Sequence, residues 1–273
     1  MSEFKDRSVL ITGAGRGIGK RLAIGFAAAG ARVGLMARSK AEIDLTQLEI
    51  EHQGGIAMRL RADVRDAESV RTSVDRMRAQ FGPIDTLICA AGVQGPVGPF
   101  LENNLAQWVE TLEINLIGVM RTCAAVLPEM VQRRAGKLVI VSGGGGANPR
   151  PGFSAYASSK AGLVRFAETL AEEMRDHNVQ VNCMSPGGAY THMTDEILRA
   201  GEKVSWKEIQ DAQQIRLTGG IPAEKQIALA MFLASERSNH ISGKLLHVKD
   251  DWRKLENSVV PPEFYTLRRT IKV

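Results

Sequence analysis

Ser8-Val9-Leu10-Ile11-Thr12 runs directly into Gly13-Ala14-Gly15-Arg16-Gly17-Ile18-Gly19, and a stretch of helical periodicity follows to Ala29. The first five residues form a short apolar run of strand type. A glycine-rich turn between strand and helix lets the backbone approach a pyrophosphate, which rests on the free amides of the helix N-terminus. An ordinary tight turn is the bland alternative. The strand before it and the helix after it weigh against that alternative.

The rest of the chain keeps alternating. Strands are predicted at Ala31–Met36, Ile56–Ala62, Ile84–Cys89, Lys137–Val141, Val179–Met184 and Ile241–Val248. Between them lie helical patterns over 40–52 and 67–81, a long one over 104–133 broken near Gly118, one carrying Tyr156 and Lys160, and one over 223–233. Strands alternating with helices imply an α/β, Rossmann-like fold, a doubly wound parallel sheet of about seven strands with helices on both faces. Its ligand belongs beyond the C-terminal ends of the strands, at the switch point. One domain over 1–252 is expected. Residues of about 188–221 are expected to form a mobile lid, with Met193, Ile197, Leu198 and Trp206 facing inward. A tail over 253–273, with Phe264 and Tyr265 following Trp252, is expected to pack on the domain or on a neighbouring subunit.

With 273 residues the chain is long enough for one large core. Its 35 basic and 30 acidic residues leave a net charge of +5, spread without a basic block, so no nucleic-acid partner is expected. The polar start MSEFKDRS leads straight into a strand, which predicts no signal peptide. No apolar run approaches the ~20 residues of a membrane helix, so no membrane partner is expected. Cys89, Cys123 and Cys183 lie in apolar segments and read as buried thiols of a reducing compartment, with a cytoplasmic location expected. No His/Cys cluster predicts a metal.

Ser142 to Lys160 reads SGGGGANPRPGFSAYASSK. Tyr156 and Lys160, four apart on a helix, share one face. An ammonium beside a phenol favours the phenolate, which would make the phenol a usable acid or base near neutrality. A solvated helix face is the bland reading of an isolated pair like this.

Taken in order, these motifs resemble the short-chain dehydrogenase/reductase family in its compact form, that of 3-oxoacyl-ACP-reductase-like members. The resemblance spans roughly Arg7 to Gly243. It implies that Gly13, Arg16, Gly17, Ile18 and Gly19 hold the cofactor phosphates in a TGxxxGxG turn. It implies that Asp63 and Val64 touch the adenine, although Asp63 also reads as a helix N-cap. Ala90, Ala91 and Gly92 stand where the family has Asn-Ala-Gly, after Cys89 in place of a further Asn. Pro186, Gly187 and Thr191 resemble the segment that closes over the nicotinamide. At the end of the second strand, where an NAD enzyme carries an acid, the chain has Ala37 followed by Arg38 and Ser39. With Arg16, Arg38 could meet a 2′-phosphate, so NADP(H) is the expected cofactor.

For catalysis the resemblance assigns proton donation to Tyr156, ribose binding and phenol activation to Lys160, and a relay water to Asn115. The family's serine precedes its tyrosine by thirteen residues, and that register falls on Gly143. One extra loop residue is expected to bring Ser142 to the site instead. The implied activity is hydride transfer between NADPH and a carbonyl or secondary alcohol, by a homodimer or homotetramer. A non-catalytic NADPH-binding scaffold or sensor, and a sugar-nucleotide epimerase or dehydratase, are the alternatives.

Overall fold

Residues 3–268 are described by the structure, a computed structural model. The first strand, β1 (Ser8–Thr12), is buried along its whole length. That is the mark of a central parallel strand covered on both faces. Around it run α1 (Gly17–Ala28), β2 (Arg32–Ala37), α2 (Lys40–His52), β3 (Ile56–Arg61), α3 (Ala67–Phe81) and β4 (Thr86–Cys89). Next come α4 (Leu105–Leu112), α5 (Gly118–Arg133), β5 (Gly136–Val141), α6 (Ser154–Glu173) and β6 (Val179–Ser185). The chain continues through α7 (His192–Ala200), α8 (Trp206–Thr218), α9 (Ala223–Ala234) and β7 (Leu245–His247).

Among the described residues seven strands lie in the order β3-β2-β1-β4-β5-β6-β7, each pairing with its neighbour in parallel. The order reverses between β1 and β4, so a crevice opens at their C-terminal ends. Alternate residues of β1 feed two cores. Val9 and Ile11 join Leu22, Phe26, Ile43 and Phe232 under α1, α2 and α9. Leu10 joins Val74, Met77, Val126 and Leu163 under α3, α5 and α6.

Several expected boundaries move. The final strand is three residues rather than eight, because the left-handed Gly243 (φ +72°) bends the chain before it, although Gly243 and Lys244 still bond to β6. The long helical pattern is three pieces, with a π turn over Glu113–Ile117 between α4 and α5. The helical stretch Leu105–Arg133 also reaches the length and apolarity of a membrane span, contrary to the sequence reading. Its buried residues Val119, Cys123, Val126 and Met130 belong to the second core. Asp66, not Asp63, caps α3, accepting from Glu68 and Ser69 amides.

Trp206 is 69% exposed, not inward. It sits at the start of α8, where the inward positions are Ile209 and Ala212. Met193, Ile197 and Leu198 do face inward, against Phe153 and Tyr156. All three cysteines are buried and unpaired. The tail up to residue 268 lies along its own β7. The Leu245 amide donates to the Tyr265 carbonyl (2.7 Å), and Lys244 Nζ reaches the carbonyls of Pro261, Pro262 and Phe264 at 2.9–3.0 Å. This covers a sheet edge that would otherwise present unpaired backbone groups. Trp252 anchors the start of this stretch against Phe232, ring centroids 5.0 Å apart. The last tail positions, 269–273, lie outside the described residues.

Candidate active site

The strand-to-helix turn after β1 has no room for side chains. Gly13 (φ +67°) and Gly17 (φ +56°) adopt left-handed backbone that glycine enters without penalty. A Cβ on Gly13 would lie 2.7 Å from the Ala91 backbone, so this turn packs directly on the chain leaving β4. Thr12 ties the two strand ends together. Its hydroxyl accepts from the amides of Ala90 and Ala91, each at 3.1 Å. Thr12 thereby supplies a tie between central strands that Ala90 itself cannot make. The sequence reading missed it, although its place at the end of β1 was visible. Arg16, the N-cap residue of α1, contributes no side-chain cap. The first amides of α1 are left to a ligand or solvent.

These residues form one wall of a cavity of about 940 Å³ that extends to Tyr156 and Lys160. At its far end Ala37 closes β2, and Arg38 is exposed. Ser39 caps α2, accepting from the Glu42 amide at 3.3 Å. Glu42 is a carboxylate the sequence reading overlooked. It lies against Gly15, whose added Cβ would meet Glu42 Cβ at 2.7 Å, and it stands 3.8 Å from the Arg16 guanidinium. Asp63 is gripped by Arg65, with contacts from 2.6 to 3.2 Å, and these bonds hold its carboxyl below the usual range. Val64 packs on Gly118, which has no space for a Cβ.

At the reacting end, α6 presents Tyr156 and Lys160 on one buried face. Lys160 Nζ donates to the Val141 carbonyl at 2.9 Å. Burial brings its pKa down to about 8. The π turn lines the same cavity through Ile114 and buries Asn115 just behind it. Its Oδ1 accepts from the Val93 amide (2.8 Å), while Nδ2 donates to the Val93 carbonyl (2.9 Å) and to Ser159 Oγ (3.1 Å). Single π turns of this kind recur at functional sites. Gly92 lies between them, for a Cβ there would stand 3.2 Å from Asn115 Oδ1 and 3.7 Å from Lys160 Nζ.

Two expectations about this end change. The Lys160 ammonium is 5.5 Å from the Tyr156 ring centroid and does not lower the phenol. Burial raises the Tyr156 pKa, and the opposing pull comes from Arg150. The second change concerns the serine. Ser142 Oγ is buried without a hydrogen-bond partner, against Gly146, where an added Cβ would sit 2.6 Å away. Gly143 faces the phenol instead, for its added Cβ would come within 2.5 Å of the Tyr156 hydroxyl. Ser142 lines the same cavity, but its hydroxyl makes no hydrogen bond to Tyr156. The Ser142 amide donates to the Met184 carbonyl at 2.8 Å, which ties this residue to the end of β6.

The family model for short chain dehydrogenases matches residues 7–202. The chain belongs to the short-chain dehydrogenase family. It is 31% identical to the 3-oxoacyl-[acyl-carrier-protein] reductase FabG of Escherichia coli (strain K12) over 251 residues, covering 90% of this chain and 96% of that protein. It is 28% identical to FabG of Staphylococcus aureus (strain N315) over 243 residues, covering 89% and 96%. Among solved structures, actinorhodin polyketide ketoreductase with NADPH superposes with a TM-score of 0.81 at 25% identity, covering 89% of this chain and 95% of that one. NAD+-bound xylitol dehydrogenase superposes at 0.82, also at 25% identity, covering 90% and 98%.

This short-chain dehydrogenase has the walls a nicotinamide dinucleotide needs. The uncapped α1 N-terminus suits a pyrophosphate. Gly92 and Lys160 both line the cavity, where a ribose could lie. Pro186 and Gly187 sit opposite, and Thr191 caps α7 while its methyl lies 3.3 Å from where a Gly17 Cβ would be. The glycine turn and the segment from Pro186 to Thr191 thus both line the cavity.

Proposed function

We propose that the chain catalyses NADP(H)-dependent interconversion of a small-molecule carbonyl and its secondary alcohol, with Tyr156 as the proton-transfer group. The observation that carries this is one cavity holding the Tyr156 hydroxyl, the buried Lys160 ammonium and the Asn115 π turn beside an uncapped glycine-rich helix start. The bound dinucleotide supplies or accepts the hydride. Tyr156 would give its proton to the oxygen of the substrate as negative charge develops there. Lys160 would hold the ribose and, as an ammonium, would favour the phenolate left when Tyr156 gives up its proton. Asn115, already bonded to Val93 and Ser159, would order the water that refills the proton. Without a serine on Tyr156, the phenol is the only protein donor this reading assigns to the reacting oxygen.

Gly13, Arg16, Gly17, Ile18 and Gly19 would hold the phosphates, with Ala90 to Gly92, Pro186, Gly187 and Thr191 enclosing the nicotinamide end. Asp63 and Val64 would meet the adenine, Asp63 through backbone more than through a carboxylate already engaged by Arg65. The preference for NADP(H) rests on Ala37, Arg38 and Arg16 and is opposed by the proximity of Glu42 to Arg16. Residues 188–221 would act as the lid, and free buried thiols suit a cytoplasmic enzyme. The exposed apolar residues Leu101, Leu105 and Val109 on and before α4 suit a homodimer or homotetramer.

The similarity to FabG makes 3-oxoacyl thioesters the first compounds to try. A panel of ketones and 3-oxoacyl thioesters, with NADPH loss followed by absorbance, tests the reading. Turnover that Tyr156→Phe abolishes is expected, and full activity in that variant would overturn it.

A further inference from the structure

The loop from Ser142 to Phe153 leads to Tyr156, and one cation stands in it. Arg150 Cζ lies 3.8 Å above the Phe153 ring centroid and 5.8 Å from the Tyr156 ring centroid. Its fork is closed by the lid. Nε and Nη2 donate to Glu208 Oε1 and Oε2 at 2.8 and 2.7 Å, with side chains only 17% and 23% exposed. Glu208 stands in the first turn of α8, whose Ile209 and Ala212 pack in the same apolar cluster as Phe153 and Tyr156. We propose that Arg150 is a positioning residue for Tyr156, and that its ion pair with Glu208 links the Tyr156 site to the seating of α8. The inference rests on Tyr156 being the proton-transfer group.

Charge decides why this pair matters. The site offers a phenolate two cations. Lys160, on the same helix, is engaged by Val141 and loses its own proton near pH 8. A guanidinium stays charged across the whole working range. With Gly143 beside the hydroxyl, no serine donor shares the task. Burial pushes the phenol up and Arg150 pulls it back. On the lid helices His192 and Glu196, paired on α7 at 3.1 Å, and Asp211 on α8 line the same cavity. None of them forms an ion pair with Arg150 among the described residues. Glu208 offsets part of the Arg150 field while α8 is seated, so lifting α8 would leave the phenol facing an unpaired cation.

The test uses the full-length protein in four forms, namely wild type, Arg150→Gln, Arg150→Lys and Glu208→Gln. Two readouts are taken. One is the pH profile of kcat for oxidation of a secondary alcohol with NADP+, where the phenolate is the active form. The other is phenolate absorbance on alkaline titration, with the signal of Tyr190 and Tyr265 removed by subtracting Tyr156→Phe. Arg150→Gln is expected to move the Tyr156 titration up by about one pH unit, the low end for a charge at this separation. Arg150→Lys should return most of that shift, and Glu208→Gln should move the titration down. Opposite shifts from two halves of one ion pair are not the signature of lost scaffolding. If both variants shift the same way, or Tyr156 titrates unchanged in both, the proposal is wrong. Should Arg150→Gln fail to fold, Glu208→Gln decides alone, a downward shift supporting the proposal and any other result overturning it. Absence of turnover in the wild type would sink the oxidoreductase reading separately, since the absorbance titration needs no turnover.

Discussion

Ser142→Ala separates two accounts of the chemistry by measurements that move in opposite directions. In the structure Ser142 Oγ is sealed from solvent, has no partner and lies against Gly146. A buried hydroxyl left unsatisfied costs about 1–3 kcal/mol of desolvation. Removing it recovers that cost less the packing of one oxygen, so a net gain of about 1 kcal/mol is expected. For a domain of this size that raises Tm by about 2–4 °C. Turnover should stay within about twofold of wild type, because the hydroxyl does not reach the reacting oxygen. The assay is kcat with a saturating ketone and NADPH, beside a thermal melt of the same preparation. Were Ser142 a donor to the substrate oxygen, the variant would lose about 10²–10³ in kcat. A loss of that size with Tm unchanged would refute the geometry argued here. Gly143→Ala supplies the complementary check, since its Cβ would arrive 2.5 Å from the Tyr156 hydroxyl and must displace it. A lower kcat is expected there, with cofactor binding kept.

Lys160→Ala should weaken both NADPH binding and turnover, whereas Tyr156→Phe should abolish turnover with binding nearly unchanged; calorimetric titration beside steady-state kinetics measures the split. Replacing Ala37 by Asp and Arg38 by Ser should reverse the cofactor preference toward NADH, and Glu42→Gln should strengthen NADPH binding, both read as ratios of kcat/KM. Stability of the ligand-free protein should rise from about pH 8 toward 10. Lys160 and Lys137 have folded pKa values brought down to about 8 from 10.5, so the unfolded chain holds more protons in that window and is penalised as they leave. For Lys160 the full effect is about 3 kcal/mol. Above pH 10 the raised phenol of Tyr156 works the other way, because the unfolded chain ionises first. Denaturant melts at several pH values check this, and a Lys160→Met, Lys137→Met double variant should flatten the rise.

Much of the fold was legible because it is written in local pattern. β1 and its turn declare themselves by an apolar run meeting glycines, and a parallel sheet needs strands that are apolar on both faces. The interruption of the long helix was sensed near Gly118, but its π geometry was not, because nothing in residue type distinguishes a π turn from a kink. Trp206 reads as a core residue from its chemistry alone. Ser205 caps α8 one residue earlier, and that start places Trp206 on the solvent side. β7 begins only after Gly243, whose left-handed backbone (φ +72°) interrupts the strand, a conformation the apolar pattern does not report.

The site divides along the same line. Sequence alone determined that Tyr156 and Lys160 share a helix face, that a glycine-rich turn opens α1, and that no carboxylate closes β2, since each depends on spacing within one element. Tertiary structure decided what stands next to what. Whether Ser142 or Gly143 meets the phenol depends on how a loop of glycines and prolines returns from β5 to α6, and glycine's wide conformational freedom leaves that path unspecified by local preference. Glu42 beside Arg16, Thr12 bridging to Ala90, and Glu208 closing on Arg150 are contacts between elements remote in the chain. They exist because the sheet order and the packing of α8 bring those elements together, and side-chain charge acts only over the few ångströms that packing sets.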